Sequence, residues 1–278
     1  MKTRILTAAV ALPVLIGSIV LPIWWRDGLW AFVVLAALAL GAGLFEFFSL
    51  TKKLELKADA AFAYLWSSAI FLGFVFDAPM RSPDLIIFTL VAFVASLLVA
   101  QTFRFQKDFS KMLTGVGVTL AGVLYIAFLG GFLVAARMGF DVLLSTKLLG
   151  YFFVVIFASD IGAYFTGRAI GKHKLAPSIS PGKTVEGLAG GLIAAAAGAA
   201  ICTLTFFGEL PYLPSIILAI ILSTVGVLGD LAESAMKRGA GAKDAASILP
   251  GHGGFLDRLD SLLFGAPILY YFARYYFS

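Results

Sequence analysis

The sequence contains few charged residues: Asp, Glu, Lys and Arg make up 13% of its 278 residues, against about 25% in a typical soluble domain. Hydrophobic residues make up 60%, and the mean hydropathy is +0.97. This composition excludes an ordinary soluble globular domain. The chain is therefore predicted to be an integral membrane protein.

Cysteine is nearly absent, since Cys202 is the single one. It cannot form an intramolecular disulfide and matches no metal-site spacing, so packing is its expected role. The polar residues also include no Ser-His-Asp or Cys-His arrangement of the kind that covalent nucleophilic catalysis requires.

Long apolar segments are plentiful. A bilayer core about 30 Å thick requires roughly 20 apolar residues per helix, and nine segments of about that length are present. They lie near residues 5 to 23, 29 to 48, 60 to 76, 84 to 103, 112 to 135, 147 to 167, 187 to 207, 213 to 232 and 260 to 277. The predicted fold class is an all-α integral membrane protein with about nine transmembrane helices.

The first segment follows Lys2 and Arg4, as in a signal peptide. No small-residue cleavage site follows it, so it is interpreted as a retained helix. Sixteen of the 21 Lys and Arg residues fall on one side of a nine-helix arrangement. By the positive-inside rule, the N-terminus and the large loops are predicted to be cytoplasmic, in a multi-pass inner-membrane protein.

The two halves of the sequence differ in character. Residues 1 to 150 are predicted to form about five helices with short connectors, and snorkelling to the interface is the favoured interpretation of Glu46. Residues 151 to 278 contain two longer cytoplasmic loops, 168 to 186 and 233 to 259, rich in Gly, Pro, Lys and Asp. Long loops are usually functional or disordered, and these two are too rich in Gly and interspersed hydrophobic residues to look disordered. We therefore expect a catalytic region with a polar cytoplasmic cavity here.

Asp160 lies among apolar residues, where an ionised carboxylate costs at least about 2.5 to 3.5 kcal/mol. It is expected to face a polar cavity or a partner. Arg168 falls on nearly the same helix face, so a structural ion pair is an alternative. Gly167 and Gly171 are spaced as in a helix-packing motif.

The stretch PSISPGKT, residues 177 to 184, resembles a nucleotide-binding loop only superficially. A Walker A loop requires Gly where Pro177 stands, and a preceding strand. What remains is a turn that presents Lys183 and Thr184 near the start of a helix, either to hold phosphate or as a structural connector.

Acidic residues form two closely spaced pairs near the C-terminus. Asp230 and Glu233 are three residues apart, as are Asp257 and Asp260, so each pair shares one helix face. Like charges this close repel, and a cation between them relieves the repulsion. Mg²⁺ prefers a few carboxylates together with water and substrate phosphates.

Basic residues lie among these acids, so both halves of a metal and phosphate site are present. They are Lys237, Arg238, Lys243 and Arg258. A salt-bridged interfacial loop is the alternative. His252, between glycines, could bind phosphate, assist proton transfer or stabilise the loop.

The run SAMKRGAGAKDAASILPGHGGFLDRLD, residues 234 to 260, resembles the signature of phosphatidate cytidylyltransferases, also called CDP-diacylglycerol synthases. The segment from Asp160 to Gly187 is similar to a second segment of that family. The specific resemblance covers about residues 155 to 265, whereas only hydropathy agrees before it.

The resemblance implies synthesis of CDP-diacylglycerol and pyrophosphate from CTP and phosphatidate, using Mg²⁺, in a dimeric multi-helix membrane protein. It implies that Asp230, Asp257 and Asp260 hold the metal, with room for a second cation, and that Lys237 and Arg238 join them in catalysis. The substrate-binding candidates are Asp160, Arg168, Lys172, Ser180, Lys183, Thr184, Lys243, Asp244, His252 and Arg258. The expected partners are both substrates, the bilayer and a second copy of the chain, but no nucleic acid.

Three other functions fit the sequence less well. A CDP-alcohol phosphotransferase requires Gly directly after its second Asp, where Ser261 follows Asp260. An ion-coupled transporter often shows internal symmetry, which this sequence lacks. A binding-only scaffold would be revealed by missing acids, and none of the expected acids is missing.

Overall fold

The computed structural model describes residues 2–80, 82–105, 109–242 and 254–277, with side chains described from residue 9 onward. The predicted site residues Lys243, Asp244 and His252 lie outside this part of the chain. Ten α-helices account for most of the described residues: α1 (Lys2–Val20), α2 (Leu29–Lys53), α3 (Ala60–Met80), α4 (Asp84–Arg104), α5 (Met112–Gly122), α6 (Leu129–Met138), α7 (Val142–Ile170), α8 (Val185–Thr205), α9 (Tyr212–Gly239) and α10 (Leu256–Tyr276).

Shorter elements connect these helices. A π-helical segment, Val123–Phe128, joins α5 to α6, so that they form one continuous helical stretch. Single 3₁₀ turns cover Leu21–Ile23, Arg26–Gly28 and Phe109–Lys111. Between α7 and α8 lies an antiparallel hairpin of β1 (Lys174–Ala176) and β2 (Ser180–Thr184).

Seven helical stretches within the described ranges have the length and apolar composition needed to cross a bilayer. They comprise α2, α3, α4, the continuous stretch Phe109–Met138, α7, α8 and α9. The prediction of an all-α, multi-pass membrane protein is therefore confirmed. The first and last of the nine predicted spans stay predictions, since the apolar stretch Ala9–Ile23 is shorter and α10 carries several charged residues.

The β1–β2 hairpin corrects one expectation, because the sequence suggested an irregular turn at PSISPGKT. The residues SPGKT instead form β2 itself. Strands of three and five residues that contain Pro and Gly carry no alternating apolar pattern, which is why no sequence pattern indicated them. The P-loop interpretation still fails, because β2 runs directly into α8 without a phosphate-binding loop between them.

The helices around the two polar loops extend beyond their predicted limits. Helix α7 continues to Ile170, α9 continues to Gly239, and α10 begins at Leu256. Hydropathy marks the apolar part of a helix, whereas the backbone hydrogen bonds continue into the polar part. Several predicted loop residues, including Lys237 and Arg238, therefore have fixed positions on helices.

Small residues bring α7 and α8 into close contact. A methyl group on Gly162 would collide with the Ala194 side chain and lie 2.8 Å from the carbonyl oxygen of Gly190. A methyl group on Gly167 would lie 3.1 Å from the Thr184 hydroxyl, in agreement with the packing role predicted for that glycine. This contact fixes the hairpin and the start of α8 beside the polar end of α7.

Helix α10 packs against elements from both halves of the chain. It contacts α9 most extensively and also contacts α6, α2 and α7. At Gly43 of α2, a methyl group would lie 3.2 Å from the Leu259 side chain. The position of the polar start of α10 therefore depends on the N-terminal half as well as on α9.

Candidate active site

The polar ends of α7, α9 and α10 and the strand β2 meet at one end of the helix bundle. Thr184, the last residue of β2, is the N-cap of α8, and its hydroxyl accepts a hydrogen bond from the Gly187 N–H at 3.0 Å. Threonine is a favoured N-cap because its oxygen satisfies an otherwise unpaired N–H of the first helical turn. The buried Thr184 therefore starts the helix, and the side chain of Lys183 is the one directed at the acids.

Lys183 and Asp230 form the first ion pair of the site. The Lys183 Nζ lies 2.6 Å from the Asp230 Oδ2, which joins β2 to α9. The other Asp230 oxygen accepts a hydrogen bond from the Ser234 hydroxyl at 3.2 Å. Asp160 on α7 lies within electrostatic range of Asp230 and Lys183. Three separate elements therefore contribute charges to a first cluster, formed by Lys183, Asp230 and Asp160.

Asp260 belongs to the same cluster. Only 8% of the residue is exposed, and it lies within electrostatic range of Asp230, Asp160 and Lys183. A methyl group on Gly229 would lie 2.5 Å from the Asp260 carbonyl oxygen. The glycine thus lets α10 approach α9 beside Asp230, and it brings together two acids that are 30 residues apart in the sequence.

A second cluster forms around Lys237 on α9. Its Nζ lies 2.5 Å from the Glu233 Oε2 and 2.5 Å from the Asp257 Oδ1. Glu233 is fully buried, and the second Asp257 oxygen accepts a hydrogen bond from the Gly254 N–H at 2.7 Å. A buried carboxylate needs a partner to offset its lost hydration, and here Lys237 supplies that partner to two acids at once.

This grouping corrects the acid pairs expected from the sequence. Asp230 and Glu233 do not act as a pair, because each contacts a different lysine. Asp257 and Asp260 are divided in the same way between the two clusters. The ammonium groups of Lys183 and Lys237 thus offset the charges of Asp230, Glu233 and Asp257. Asp260 still faces the negative charges of Asp230 and Asp160.

The described part of the site contains pairs of carboxylates near lysines. Among the residues that the structure describes, no group of three His, Cys, Asp or Glu side chains is close enough to hold a metal ion. Asp230 and Asp260 nevertheless offer the hard oxygen donors that Mg²⁺ prefers, and Mg²⁺ commonly takes only one or two carboxylates, with water and substrate phosphates as the other ligands. The residues present fit a magnesium ion that arrives with a phosphate ligand.

Several predicted site residues lie at the edge of these clusters. Arg168 is exposed, and its guanidinium donates a hydrogen bond to the Tyr164 hydroxyl at 3.0 Å, so the alternative ion pair with Asp160 is not what orients it. Arg238 donates to the Ile179 carbonyl oxygen at 3.2 Å and ties α9 to the hairpin. Ser180 pairs with Ala176 inside that hairpin.

Two further basic residues surround the clusters. Lys172 is exposed, and its backbone N–H donates to the Glu186 carboxylate at 3.0 Å. Arg258 is exposed and lies within electrostatic range of Asp160, so it faces the first cluster as one of its cations.

Comparison with known proteins identifies the family. A model of the cytidylyltransferase family matches residues 2–276. The chain belongs to this family. It is 36% identical over 280 residues to the phosphatidate cytidylyltransferase of Bacillus subtilis (strain 168), a match that covers 98% of this chain and 97% of that relative. The phosphatidate cytidylyltransferase of Brucella suis biovar 1 (strain 1330) is 36% identical over 274 residues, which is 98% of this chain and 93% of that protein.

Another relative is more similar in sequence, but over a shorter part of the chain. The phosphatidate cytidylyltransferase of Haemophilus influenzae (strain ATCC 51907 / DSM 11121 / KW20 / Rd) is 49% identical over 129 residues, or 45% of each chain. These findings confirm the resemblance drawn from residues 234 to 260 and extend it to the first 150 residues, where hydropathy alone agreed. Membership of the cytidylyltransferase family makes the chain a nucleotidyltransferase.

The structure of this cytidylyltransferase also reveals polar residues that sequence reasoning left out of the site. Glu233 completes the Lys237 cluster. Tyr125, in the π-helical segment, lies within electrostatic range of four acids of the site, and its hydroxyl is buried. Glu46, interpreted from sequence as a snorkelling residue, is instead fully buried and contacts the start of α10. An acid inside an apolar segment was the available signal for Glu46; for Tyr125 there was none.

Proposed function

We propose that the chain transfers the cytidylyl group of CTP to phosphatidate at the two acid and lysine clusters, giving CDP-diacylglycerol and pyrophosphate. The observation that carries the reaction is the near full-length similarity to proteins named phosphatidate cytidylyltransferase. The location is supported by the ion pairs Lys183–Asp230 and Lys237–Asp257, which bring together, at one end of the bundle, the cations proposed to bind phosphate and the acids proposed to bind metal.

The proposed reaction is an in-line displacement. An anionic phosphatidate oxygen attacks the α-phosphorus of CTP, a new P–O bond forms, and the bond to the bridging oxygen of the β-phosphate breaks to release pyrophosphate. Because the nucleophile is already an anion, no strong general base is required. Positioning and neutralisation of phosphate charge are then the main contributions of the protein, in keeping with a site rich in paired acids and lysines.

We propose that the lysines exchange partners when CTP binds. Lys183 would leave Asp230 for a phosphate oxygen, and Asp230 with Asp260 and Asp257 would then hold Mg²⁺, with space for a second cation. A bound magnesium ion supplies charge neutralisation on the phosphate oxygens. Lys237, Arg238, Lys243 and Arg258 are the further cations proposed to bind CTP or the phosphatidate headgroup.

The remaining predicted residues have supporting roles in this proposal. Asp160, Arg168, Lys172 and Ser180 would line the approach to the clusters, together with Asp244 and His252 from the segment that the structure does not describe. Thr184 would act by starting α8 and fixing Lys183.

We further propose nine membrane crossings, with the N-terminus and the site on the cytoplasmic side of the inner membrane and the protein as a homodimer. Sixteen of the 21 Lys and Arg residues support this orientation. A cytoplasmic location would give water-soluble CTP direct access, while the membrane supplies the lipid substrate.

The deciding experiment is incorporation of radiolabelled CTP into lipid by the purified protein in phosphatidate-containing micelles. We expect labelled CDP-diacylglycerol in the presence of Mg²⁺, none with excess EDTA, and recovery when Mg²⁺ is restored. Label incorporation that requires no phosphatidate would contradict the proposed acceptor. Full turnover in excess EDTA would contradict the proposed requirement for Mg²⁺.

A further inference from the structure

The carboxylate of Glu46 contacts the first backbone groups of α10. Its Oε1 accepts a hydrogen bond from the Phe255 N–H at 2.9 Å, and its Oε2 accepts one from the Leu256 N–H at 2.8 Å. The residue is 0% exposed. A side chain on α2, in the N-terminal half, therefore binds the start of a helix that lies more than 200 residues later in the chain.

Burying this carboxylate is costly unless its charge is offset. The first N–H groups of a helix have no partner within the helix, and they carry the positive end of the helix dipole. Glu46 supplies two of these groups with an anionic acceptor, and they in turn stabilise its charge. Water has little access to the carboxylate or to the Leu256 N–H, because both Glu46 and Leu256 are fully buried.

The lack of a side chain at Gly254 leaves room for the Glu46 carboxylate. A methyl group placed on it would collide with the Glu46 carboxylate, whose Oε2, Cδ and Oε1 are the three nearest atoms. The Gly254 N–H meanwhile donates to the Asp257 Oδ2 at 2.7 Å. A continuous set of contacts thus runs from Glu46 through residues 254 to 256 to Asp257.

The two acids proposed to bind metal on α10 follow directly on this contact. Asp257 and Asp260 lie in the first and second turns of the helix, so any shift of the helix start moves both carboxylates. Helix α2 is itself held against α10 by Gly43, one turn before Glu46, which contacts Leu259. The contact therefore constrains where α10 begins and, with it, where Asp257 and Asp260 lie.

We propose that Glu46 is a positioning residue that fixes the first turn of α10 and with it the carboxylates of Asp257 and Asp260. This inference rests on the proposed function of those two acids. It assigns to the N-terminal half of the chain a defined part in the site: α2 supplies the anion that anchors the catalytic end of the last helix.

The test compares Glu46→Gln with Asp77→Asn in the full-length protein. Asp77 is a matched control, because it is also buried and its Oδ2 accepts the Ile86 N–H at 2.7 Å near the start of α4. It lies far from the clusters, beside a cavity that it shares with Tyr270 and Arg274 near the other end of α10. Both variants thus lose a buried carboxylate that holds a helix start, but only one of these helices carries site residues.

Three quantities are measured: Mn²⁺ affinity in the presence of CTP and without phosphatidate, from the electron paramagnetic resonance signal corrected for Mn²⁺ bound to CTP alone; kcat; and the melting temperature in detergent. Partners of metal ligands typically change metal affinity or activity by 10 to 100-fold when mutated. We expect Glu46→Gln to weaken Mn²⁺ binding and lower kcat by about tenfold or more. We expect Asp77→Asn to leave both quantities within about twofold of the parent. The two variants should lower the melting temperature by similar amounts.

A second variant covers the case in which Glu46→Gln does not fold. Gly254→Ala keeps every charge but pushes the chain away from the Glu46 carboxylate, and it should weaken Mn²⁺ binding in the same direction. The double variant Glu46→Gln/Gly254→Ala should lose less Mn²⁺-binding free energy than the two single variants lose in total, because both substitutions disturb the same contact.

Two results separate this inference from the proposed function. If the Asp260→Asn protein binds Mn²⁺ and turns over like the parent, the proposed site is wrong. Asp260→Asn that is inactive, together with Glu46→Gln and Gly254→Ala proteins whose Mn²⁺ affinity and kcat match the parent, overturns the positioning role of Glu46 alone. A Glu46→Gln protein that only melts earlier, with unchanged Mn²⁺ affinity, overturns it as well.

Discussion

The Lys237 Nζ lies 2.5 Å from the Asp257 Oδ1 and so joins α9 to α10 at the candidate active site. The same ammonium group lies 2.5 Å from the fully buried Glu233. One cation thus offsets two carboxylates, one on each helix. Lys237 is for this reason both a candidate for substrate phosphate and a structural element of the apoprotein.

Replacing Lys237 with Met should destabilise the fold. Removal of one partner from a buried ion pair leaves an uncompensated charge and costs about 3 to 5 kcal/mol. We expect a clearly lower melting temperature for Lys237→Met in detergent, whereas the exposed Lys52→Met serves as a control with little change. Adding Glu233→Gln to Lys237→Met should recover much of the lost stability without restoring turnover. A Lys237→Met protein that melts with the parent would show that the buried pair contributes nothing.

Replacing Asp260 with Asn should abolish activity without unfolding the protein. The substitution keeps the shape of a buried side chain but removes the negative charge proposed to hold Mg²⁺. We expect kcat to fall at least about 100-fold, the upper end of what partners of metal ligands alone produce. Asp77→Asn, an equally buried acid outside the site, is the control for lost charge. Near-normal turnover by the Asp260→Asn protein at any Mg²⁺ concentration would show that Asp260 does not hold the metal.

Replacing Lys183 with Ala should impair use of CTP. If Lys183 exchanges Asp230 for a phosphate oxygen, its loss removes charge neutralisation in the transition state and lowers kcat/KM for CTP by about 100-fold. Lys174→Ala is the matched control, since that lysine is exposed on the neighbouring strand of the same hairpin. Equal rates for the two variants would reduce the PGKT segment to a structural connector.

Replacing Gly162 with Ala should weaken the contact between α7 and α8. The added methyl group would lie 2.8 Å from the Gly190 carbonyl oxygen, a backbone atom that cannot move without shifting a helix. Gly117→Ala is the control, because no atom lies within 4 Å of the methyl position there. We expect Gly117→Ala to be neutral or to stabilise by up to about 1 kcal/mol through helix propensity, while Gly162→Ala lowers the melting temperature. A reversed order would contradict the close packing of these helices.

The membrane class, the helical fold and the family were readable from the sequence. Apolar runs of bilayer length and the scarcity of charge determine the first two, because hydrocarbon surroundings force backbone polar groups to bond within helices. Asp230, Lys237 and Asp260 could be singled out since charged residues are costly near apolar segments and are seldom placed there without function.

Only the tertiary structure decided how these residues group. Sequence spacing pairs Asp230 with Glu233 and Asp257 with Asp260. In the structure, packing of β2 on α9 instead pairs Asp230 with Lys183, and packing of α9 on α10 joins Glu233 to Asp257 through Lys237. The contact of Glu46 with the start of α10 spans 210 positions, and no local pattern encodes a contact of that range. Local periodicity determines which face of a helix is polar, but the partner of that face is set by how the helices pack.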